Sequence, residues 1–335
     1  MSLATRWHYY RRIARAYLAP GRSQLTFWHE APEINPRATA DRLGEYHMMF
    51  REKAEYAGHY DAAGIPMLDY HGVIGLQYNP IAIAQWGLAN YNRFRETGDG
   101  ARWQKTLKAA DWLAANLEQN AHGLSVWSHH FDWEYRDTLK APWYSGLAQG
   151  QGVSLLLRAY AHSHTHSNDE KYQRAADKAF VALTRPIAEG GVLFEDEEKN
   201  LWIEEYLVDP PTHILNGFIW ALWGVFDFWL ARADASAKGI FDRGVETLVH
   251  NLARFDTGYW SLYEQSGYER SGSRMKMLAS PFYHRLHIVQ LRVMSKLTGD
   301  ARFAAVAERW EGYAQRRSNR TRALVEKSVF KLLHY

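Results

Sequence analysis

Between residues 201 and 220 the chain reads Leu-Trp-Ile-Glu-Glu-Tyr-Leu-Val-Asp-Pro-Pro-Thr-His-Ile-Leu-Asn-Gly-Phe-Ile-Trp. Two adjacent carboxylates, Glu204 and Glu205, stand beside a phenol, Tyr206. A glutamate, with an ordinary pKa of about 4.3, is ionised at neutral pH and becomes a stronger base when desolvated. A phenol, ordinarily near about 10, needs a cation or donor beside it to act as a base but none to act as an acid. Two readings are open from these residues alone: an acid/base site, or a pair of solvated loop charges with Tyr206 packed beneath them. Pro210 and Pro211 bar a helix through that point, and Thr212 is placed to cap the helix that follows. From Ile214 to Phe226 no residue is formally charged, so that helix is expected to be buried on nearly every side.

Other chemistries find little support. No glycine cluster precedes a Lys-Ser or Lys-Thr pair, so a nucleotide loop is absent. Ser-His-Asp catalysis lacks a nucleophile elbow. His129 and His130 with Asp132 and Glu134 crowd together without the spacing of a metal face, and His162, His164 and His166 sit in a polar loop. The acidic run 195–198 reads as solvated charge, with a structural divalent ion as the alternative. Cysteine is absent, which excludes disulfides and thiolate chemistry. Carboxylates, phenols and imidazoles remain, a set suited to removing a proton from carbon beside a carbonyl or carboxylate, and no cofactor is expected. The 14 Trp, 20 Tyr and 14 Phe suit flat sugar faces, or else an aromatic-rich core. A sugar uronate joins both features: its C5 proton can leave only with a base on one face and its carboxylate neutralised.

The elements that must hold these residues follow from a repeat. One unit runs Asn79-Pro80, a helix to residue 94, a Thr97-Gly98-Asp99-Gly100 turn, a helix over 103–117 and Gly123-Leu124-Ser125-Val126-Trp127. The next begins at Tyr144 and Ser145, the third at His213 and the fourth at Tyr283 and His284, with a Thr298-Gly299-Asp300 turn. First helices are aromatic, glycine-containing and poor in charge, whereas second helices are amphipathic, as expected for inner and outer layers. The reading is a mainly all-α fold, an incomplete α/α toroid of about four helical hairpins. Its loops would gather Trp143, Tyr144, Glu204, Glu205, Tyr206, Tyr263, Tyr283 and His284 at one face. Residues 1–78 form an N-terminal extension with an amphipathic helix over 4–18 and short strands near 45–50 and 67–70, 79–318 the barrel, and 319–335 a tail. The net charge of +3, from 40 basic and 37 acidic residues, gives no nucleic-acid footprint. No signal peptide is evident, and the longest uncharged helix falls short of the ~20 residues of a bilayer span, so a cytoplasmic protein without a membrane span is expected.

Several uncommon words stand out: Trp202-x-Glu204-Glu205-Tyr206, Pro211, Leu215-Asn216-Gly217-Phe218, Phe255-Asp256-Thr257-Gly258, Tyr263 and Tyr283-His284-x-x-His287-Ile288-x-Gln290-Leu291. Together they resemble the C-terminal domain of the D-glucuronyl C5-epimerases of heparan sulfate and heparosan. Trp143-Tyr144-Ser145-x-x-Ala148-Gln149-Gly150-Gln151 and Tyr78-x-Pro80-Ile81-x-Ile83-Ala84-Gln85-x-Gly87-Leu88 add to the likeness, which runs in order from about Gly64 to Tyr313. The resemblance implies an α/α barrel that epimerises D-glucuronate to L-iduronate within a heparosan-like polymer, with catalytic phenols at Tyr206, Tyr263 and Tyr283 and the catalytic carboxylate at Glu205. Within that likeness we assign Glu205 and Tyr283 to opposite faces of C5, one removing the proton and the other returning it, with Tyr206 and Tyr263 holding or neutralising the substrate carboxylate. Tyr78, Gln85, Trp143, Tyr144, Gln149, Glu204 and His287 are the expected substrate contacts; Asn216 and His284 are expected at the sugar or just behind it, and could equally serve the start of a helix. Where the family places an arginine three residues after the Tyr263 position, this chain has Ser266, so Arg270 or Arg274 is the expected replacement. Leu207 stands for the family's proline, and little of its β-rich N-terminal region precedes the barrel. The expected partner is an anionic uronate-containing polymer, with a homodimer left open. The alternatives are a polysaccharide lyase, which shares the first proton abstraction, and a non-catalytic glycan-binding barrel.

Overall fold

In the computed structural model, described for residues 27–28, 30–135, 137–163, 170–266 and 275–334, helices dominate and strands occur only as short pieces in sheets of two or three. The helix expected over 4–18, His164, His166, Arg270 and Arg274 lie outside the described residues. The chain divides into two compact units. The larger holds Asn35–His213 and Gly217–Thr247; the smaller holds Ile214–Asn216 and Leu248–Tyr335 with the described residues up to Ile34.

In the larger unit a short helix α1 (Arg51–Ala54) precedes a three-stranded antiparallel sheet of β1 (His59–Tyr60), β2 (Pro66–Asp69) and β3 (Leu76–Gln77). The strand expected near 67–70 is therefore β2, but none forms over 45–50. There the Asn92 side chain accepts from the Tyr46 amide at 2.7 Å and donates to the Met48 carbonyl at 2.8 Å, so these backbone groups are satisfied without a ladder of strands. Helices α2 (Pro80–Thr97) and α3 (Gly100–Ala115) form the first hairpin. Asn79 caps α2 by accepting from the amides of Ile81 and Ala82, with Pro80 at its first turn. Gly98 ends α2 at φ 73, and Asp99 caps α3 through the Ala101 amide. Helices α4 (Gly146–Ser163) and α5 (Glu170–Phe180) follow, then α6 (Leu215–Arg232) and α7 (Ala235–Asn251).

The inner and outer characters separate as the composition predicts. Every residue of α2 from Pro80 to Asn92 is buried, whereas α3 buries only Thr106, Ala109, Ala110 and Leu113. Trp223 and Phe226 of α6 are fully buried, with Phe226 against Phe241 of α7 at 4.8 Å between ring centroids. Helices α4 and α6 touch backbone to backbone. A Cβ on Gly224 would come within 2.3 Å of the Gly150 carbonyl oxygen, and one on Gly150 within 2.5 Å of the Ala221 Cα. Gly224→Ala is accordingly expected to cost about 3 kcal/mol, read as a lower urea midpoint at unchanged slope.

Beneath that crossing lies a buried ion cluster. Arg158 of α4 donates to both oxygens of Asp227 on α6, at 2.6 and 3.0 Å, and to the carbonyls of Ser154 and Gly44. His47 Nε2 lies 3.2 Å from the same carboxylate, and the Arg158 guanidinium sits over the Tyr46 ring.

The smaller unit contains α8 (Pro281–Thr298), α9 (Ala301–Gln315) and α10 (Arg317–His334). The α8–α9 hairpin repeats the chemistry of the first: Ser280 caps a helix opened by proline, Gly299 ends it at φ 72, and Asp300 caps its successor. Sequence reading left residues 319–335 as a tail without an element, yet α10 occupies nearly all of them. Its Lys327 Nζ donates to the Leu278 carbonyl at 2.5 Å, Arg322 stacks 3.8 Å above the Tyr259 ring, and Glu326 accepts from the Tyr259 hydroxyl. Four helical hairpins in succession, α2–α3, α4–α5, α6–α7 and α8–α9, give the mainly α architecture expected, and the small sheets remain open. No helix among the described residues is long and apolar enough to cross a membrane.

Candidate active site

The acidic loop is aimed by a hairpin. Strands β4 (Leu193–Glu195) and β5 (Leu201–Ile203) pair antiparallel, Phe194 opposite Trp202, around a turn built on Asp196. The Asp196 carboxylate accepts from the amides of Glu198 and Asn200, the Asn200 side chain and the Trp202 indole. Glu195 pairs with Lys199 and Arg243. The run 195–198 is thus organised by its own contacts, and no group of His, Asp or Glu among the described residues is arranged to hold a metal. Beyond β5, the Glu204 amide donates to Val192 and its carbonyl accepts from Gly146 at the start of α4, both at 2.9 Å. Those bonds fix Glu204 and Glu205 where the chain leaves the hairpin.

Both carboxylates are buried, which removes the reading of solvated loop charges. Glu204 accepts from the His213 amide at 3.1 Å and from His213 Nδ1 at 2.5 Å. Glu205 lies against Gly217 in the first turn of α6, so closely that a Cβ there would come 2.1 Å from its Oε2. Burial pushes the Glu205 carboxyl up to about 8; the neighbouring Glu204 charge adds to this, and a hydrogen bond with Tyr206 opposes it. The half-buried Tyr206 ring packs against Tyr135 at 4.7 Å and edge-on to Trp143 at 5.7 Å. Trp143 in turn stacks flat on His129 at 3.8 Å, and burial holds that imidazole neutral, down to about 3.

In the smaller unit Tyr263 and Tyr283 form an edge-to-face pair, 4.9 Å between centroids. Tyr263 lies on a short antiparallel segment: its amide donates to the Met277 carbonyl and its carbonyl accepts from the Leu215 amide. Tyr283 is half-buried in the first turn of α8, where its amide donates to Ser280 Oγ. Two phenols side by side form a local proton-bearing unit, just as Glu204, Glu205 and Tyr206 form one in the larger unit.

Residues 119–312, more than half of the chain, match the family model described as D-glucuronyl C5-epimerase C-terminus. The chain belongs to that family. It is 32% identical over 218 residues to the D-glucuronyl C5-epimerase of Caenorhabditis elegans, an alignment covering 62% of this chain and 34% of that protein. It is 27% identical over 207 residues to an uncharacterized protein of Methanocaldococcus jannaschii, covering 61% of this chain and 63% of that one. The chain thus spans about a third of the first relative and just under two thirds of the second. Among solved structures, an unsaturated glucuronyl hydrolase specific for heparin aligns over 97% of this chain and 96% of its own at 11% identity and a TM-score of 0.48. The Bacillus sp. GL1 unsaturated glucuronyl hydrolase aligns over 70% and 61% at 16% identity and a TM-score of 0.47. Likeness that loose carries no argument about chemistry.

The family words do not all lead to a surface. Gln149, expected at the substrate, donates to the carbonyls of Ser125 and Ala179 and accepts from the Trp127 amide, so it clamps backbone inside the core. Gln85 is buried and donates to Gln151. His284 is fully buried and stacked on Trp260; its Nδ1 accepts from the Ser261 amide and its Nε2 donates to the Trp310 carbonyl. His287 is equally buried, 3.0 Å from Ser261 Oγ, and burial holds its ring neutral. These four are corrected from sugar contacts to interior supports, because none of them has any exposed surface, whereas Glu205 keeps a small exposed share. Asn216 is buried too, and its carbonyl accepts from Gln290. Tyr144 is half-buried, its hydroxyl on the Gly190 carbonyl, and the exposed Tyr78 bonds Asp61. Thr212 does not cap α6: its Oγ1 is buried without a partner, and the Leu215 amide is satisfied by Tyr263 instead. Ser266, where the family has arginine, is buried and donates to Glu264. Sequence reading passed over His213, whose only local signal is its place just after Thr212.

Proposed function

We propose that the chain is a glucuronyl C5-epimerase that inverts D-glucuronate to L-iduronate within a heparosan-like polymer. The observation that carries this reading is Glu205, a buried carboxyl set beside a second carboxylate and a phenol, whose basicity is raised to about 8 by its surroundings. As carboxylate it takes the C5 proton, leaving the electron pair delocalised into the uronate carboxyl group as an enediolate. A phenol, Tyr283, then returns a proton to C5 from the other side, and in the reverse direction the roles exchange. A group whose pKa lies near the working pH serves both as base and as acid, which a reversible inversion needs. Tyr206 and Tyr263 are assigned to hold the substrate carboxylate, with Tyr144 and Tyr78 offering rings to the sugar faces and the buried Trp143 backing Tyr206. No cofactor enters this scheme.

Incubation with heparosan in heavy water tests the proposal. Deuterium at C5 with new iduronate signals in the proton spectrum is the expected result. Absorbance of an unsaturated uronate would mark a lyase, since the enediolate would then expel the 4-linked sugar. Binding with neither change would mark a glycan-binding module.

A further inference from the structure

His213 is built into the loop in an unusual way. It is a non-glycine residue at φ 52, a left-handed conformation that side chains seldom adopt without compensation. That turn brings its backbone amide and its ring Nδ1 onto the two oxygens of one carboxylate, Glu204. The ring is stacked on Trp202, 4.3 Å between centroids at 16°, with Phe194 at 5.7 Å, so it cannot swing away. Because Glu204 accepts, Nδ1 carries the proton in this contact. The side chain of Glu204 is 0% exposed and that of His213 15% exposed, so the pair joins the buried charge to the solvent edge. Carboxylate-held imidazoles are a recurrent means of fixing both ring orientation and charge.

We propose that His213 is a positioning residue for Glu205: by gripping both oxygens of Glu204 it sets where negative charge stands beside the base, and so how readily Glu205 takes up a proton. Among the groups that bear on Glu205 are Glu204 through its charge and Tyr206 through a hydrogen bond; Gly217, packed on it from α6, adds no charge. His213 acts on the base through Glu204. With the imidazole in place, Glu204 is bound by two donors and its field is partly neutralised. Without it, the full charge of Glu204 stands next to Glu205 in a low-dielectric interior, where like charges oppose ionisation strongly. The inference takes its activity readout from the epimerase reading, but its direct readout does not need that reading.

Selective 13C labelling of glutamate carboxyls, with the Glu205 signal assigned by its absence from Glu205→Gln, follows the titration of the base itself without substrate. In His213→Ala the Glu205 midpoint is expected to rise by about one pH unit or more. In His213→Asn, which keeps a donor for Glu204 but no ionisable ring, it should fall between the two. The alkaline rise of C5 exchange should move with it while the plateau rate stays near wild type, a shift that a merely structural role would not produce. A Glu205 midpoint unchanged in His213→Ala overturns the proposal; if that variant does not fold, the same comparison is decided by His213→Asn. A shifted midpoint in a protein that never exchanges C5 would sink the epimerase reading and leave this one standing.

Discussion

Glu205→Gln is expected to abolish C5 exchange, by a factor of about a thousand or more, while making the folded chain more stable at alkaline pH. The two effects share one cause. Burial, reinforced by the charge on Glu204, holds the Glu205 carboxyl near 8, well above the ordinary range of an exposed glutamate. Its folded-state pKa therefore exceeds its unfolded one. The stability this group contributes is complete below about pH 4.5 and disappears as pH rises through about 8, because ionisation then favours the unfolded chain. Glutamine has the same shape and no charge to lose. The variant should match the wild type in acid and exceed it above about pH 9, by as much as about 5 kcal/mol if the whole shift is expressed. Urea midpoints at pH 5 and pH 9 measure this without any substrate. Equal midpoints for both proteins at both pH values would show that Glu205 ionises as freely as a surface residue. In wild type, exchange in the direction where Glu205 is the base should climb with pH and level off above about 8.

Asp227→Asn is the second large effect and concerns the core. The carboxylate is fully buried; burial alone would raise its pKa, but Arg158 and His47 outweigh that and hold it below the usual carboxylate range. Its folded pKa is thus depressed, so its contribution is present above about pH 4 and is lost as pH falls further. Asparagine leaves the Arg158 guanidinium buried without its counter-charge, and removing one partner of such a pair typically costs about 3–5 kcal/mol. A fall of that size in unfolding free energy at pH 7, shrinking toward pH 3, is expected. Replacing Arg158 and Asp227 together by apolar residues of similar volume should recover much of the loss, because no lone charge then remains inside.

The helical hairpins were legible because their signals are local. Asn79-Pro80 and the Gly-Asp turns at 98–99 and 299–300 fix helix ends through φ angles and caps that depend on neighbouring residues alone. The uncharged run after Ile214 announced a buried helix for the same reason. The candidate site was legible in part. Glu204, Glu205 and Tyr206 stood out by type and adjacency, and Tyr263 and Tyr283 by the family words around them. What the sequence could not supply was direction. Gln149 and His284 sit in those words as plainly as Glu205 does, yet their side chains turn inward onto backbone partners far along the chain. His213 was hidden for the opposite reason: its role rests on a left-handed backbone angle and on a carboxylate nine residues earlier. Helix α10 escaped because six polar residues, Arg317 to Arg322, open it, and because two charged side chains help to anchor it, Lys327 on a carbonyl and Glu326 on a phenol.

That last helix has a consequence for how the phenols are kept in place. The strand-like segment bearing Tyr263 is paired with residues 277–279, and the Leu278 carbonyl within that partner is gripped by Lys327. Shortening the chain after Gln315 would therefore not trim an idle appendage; it would unfasten the backing on which one of the proton-bearing rings is mounted.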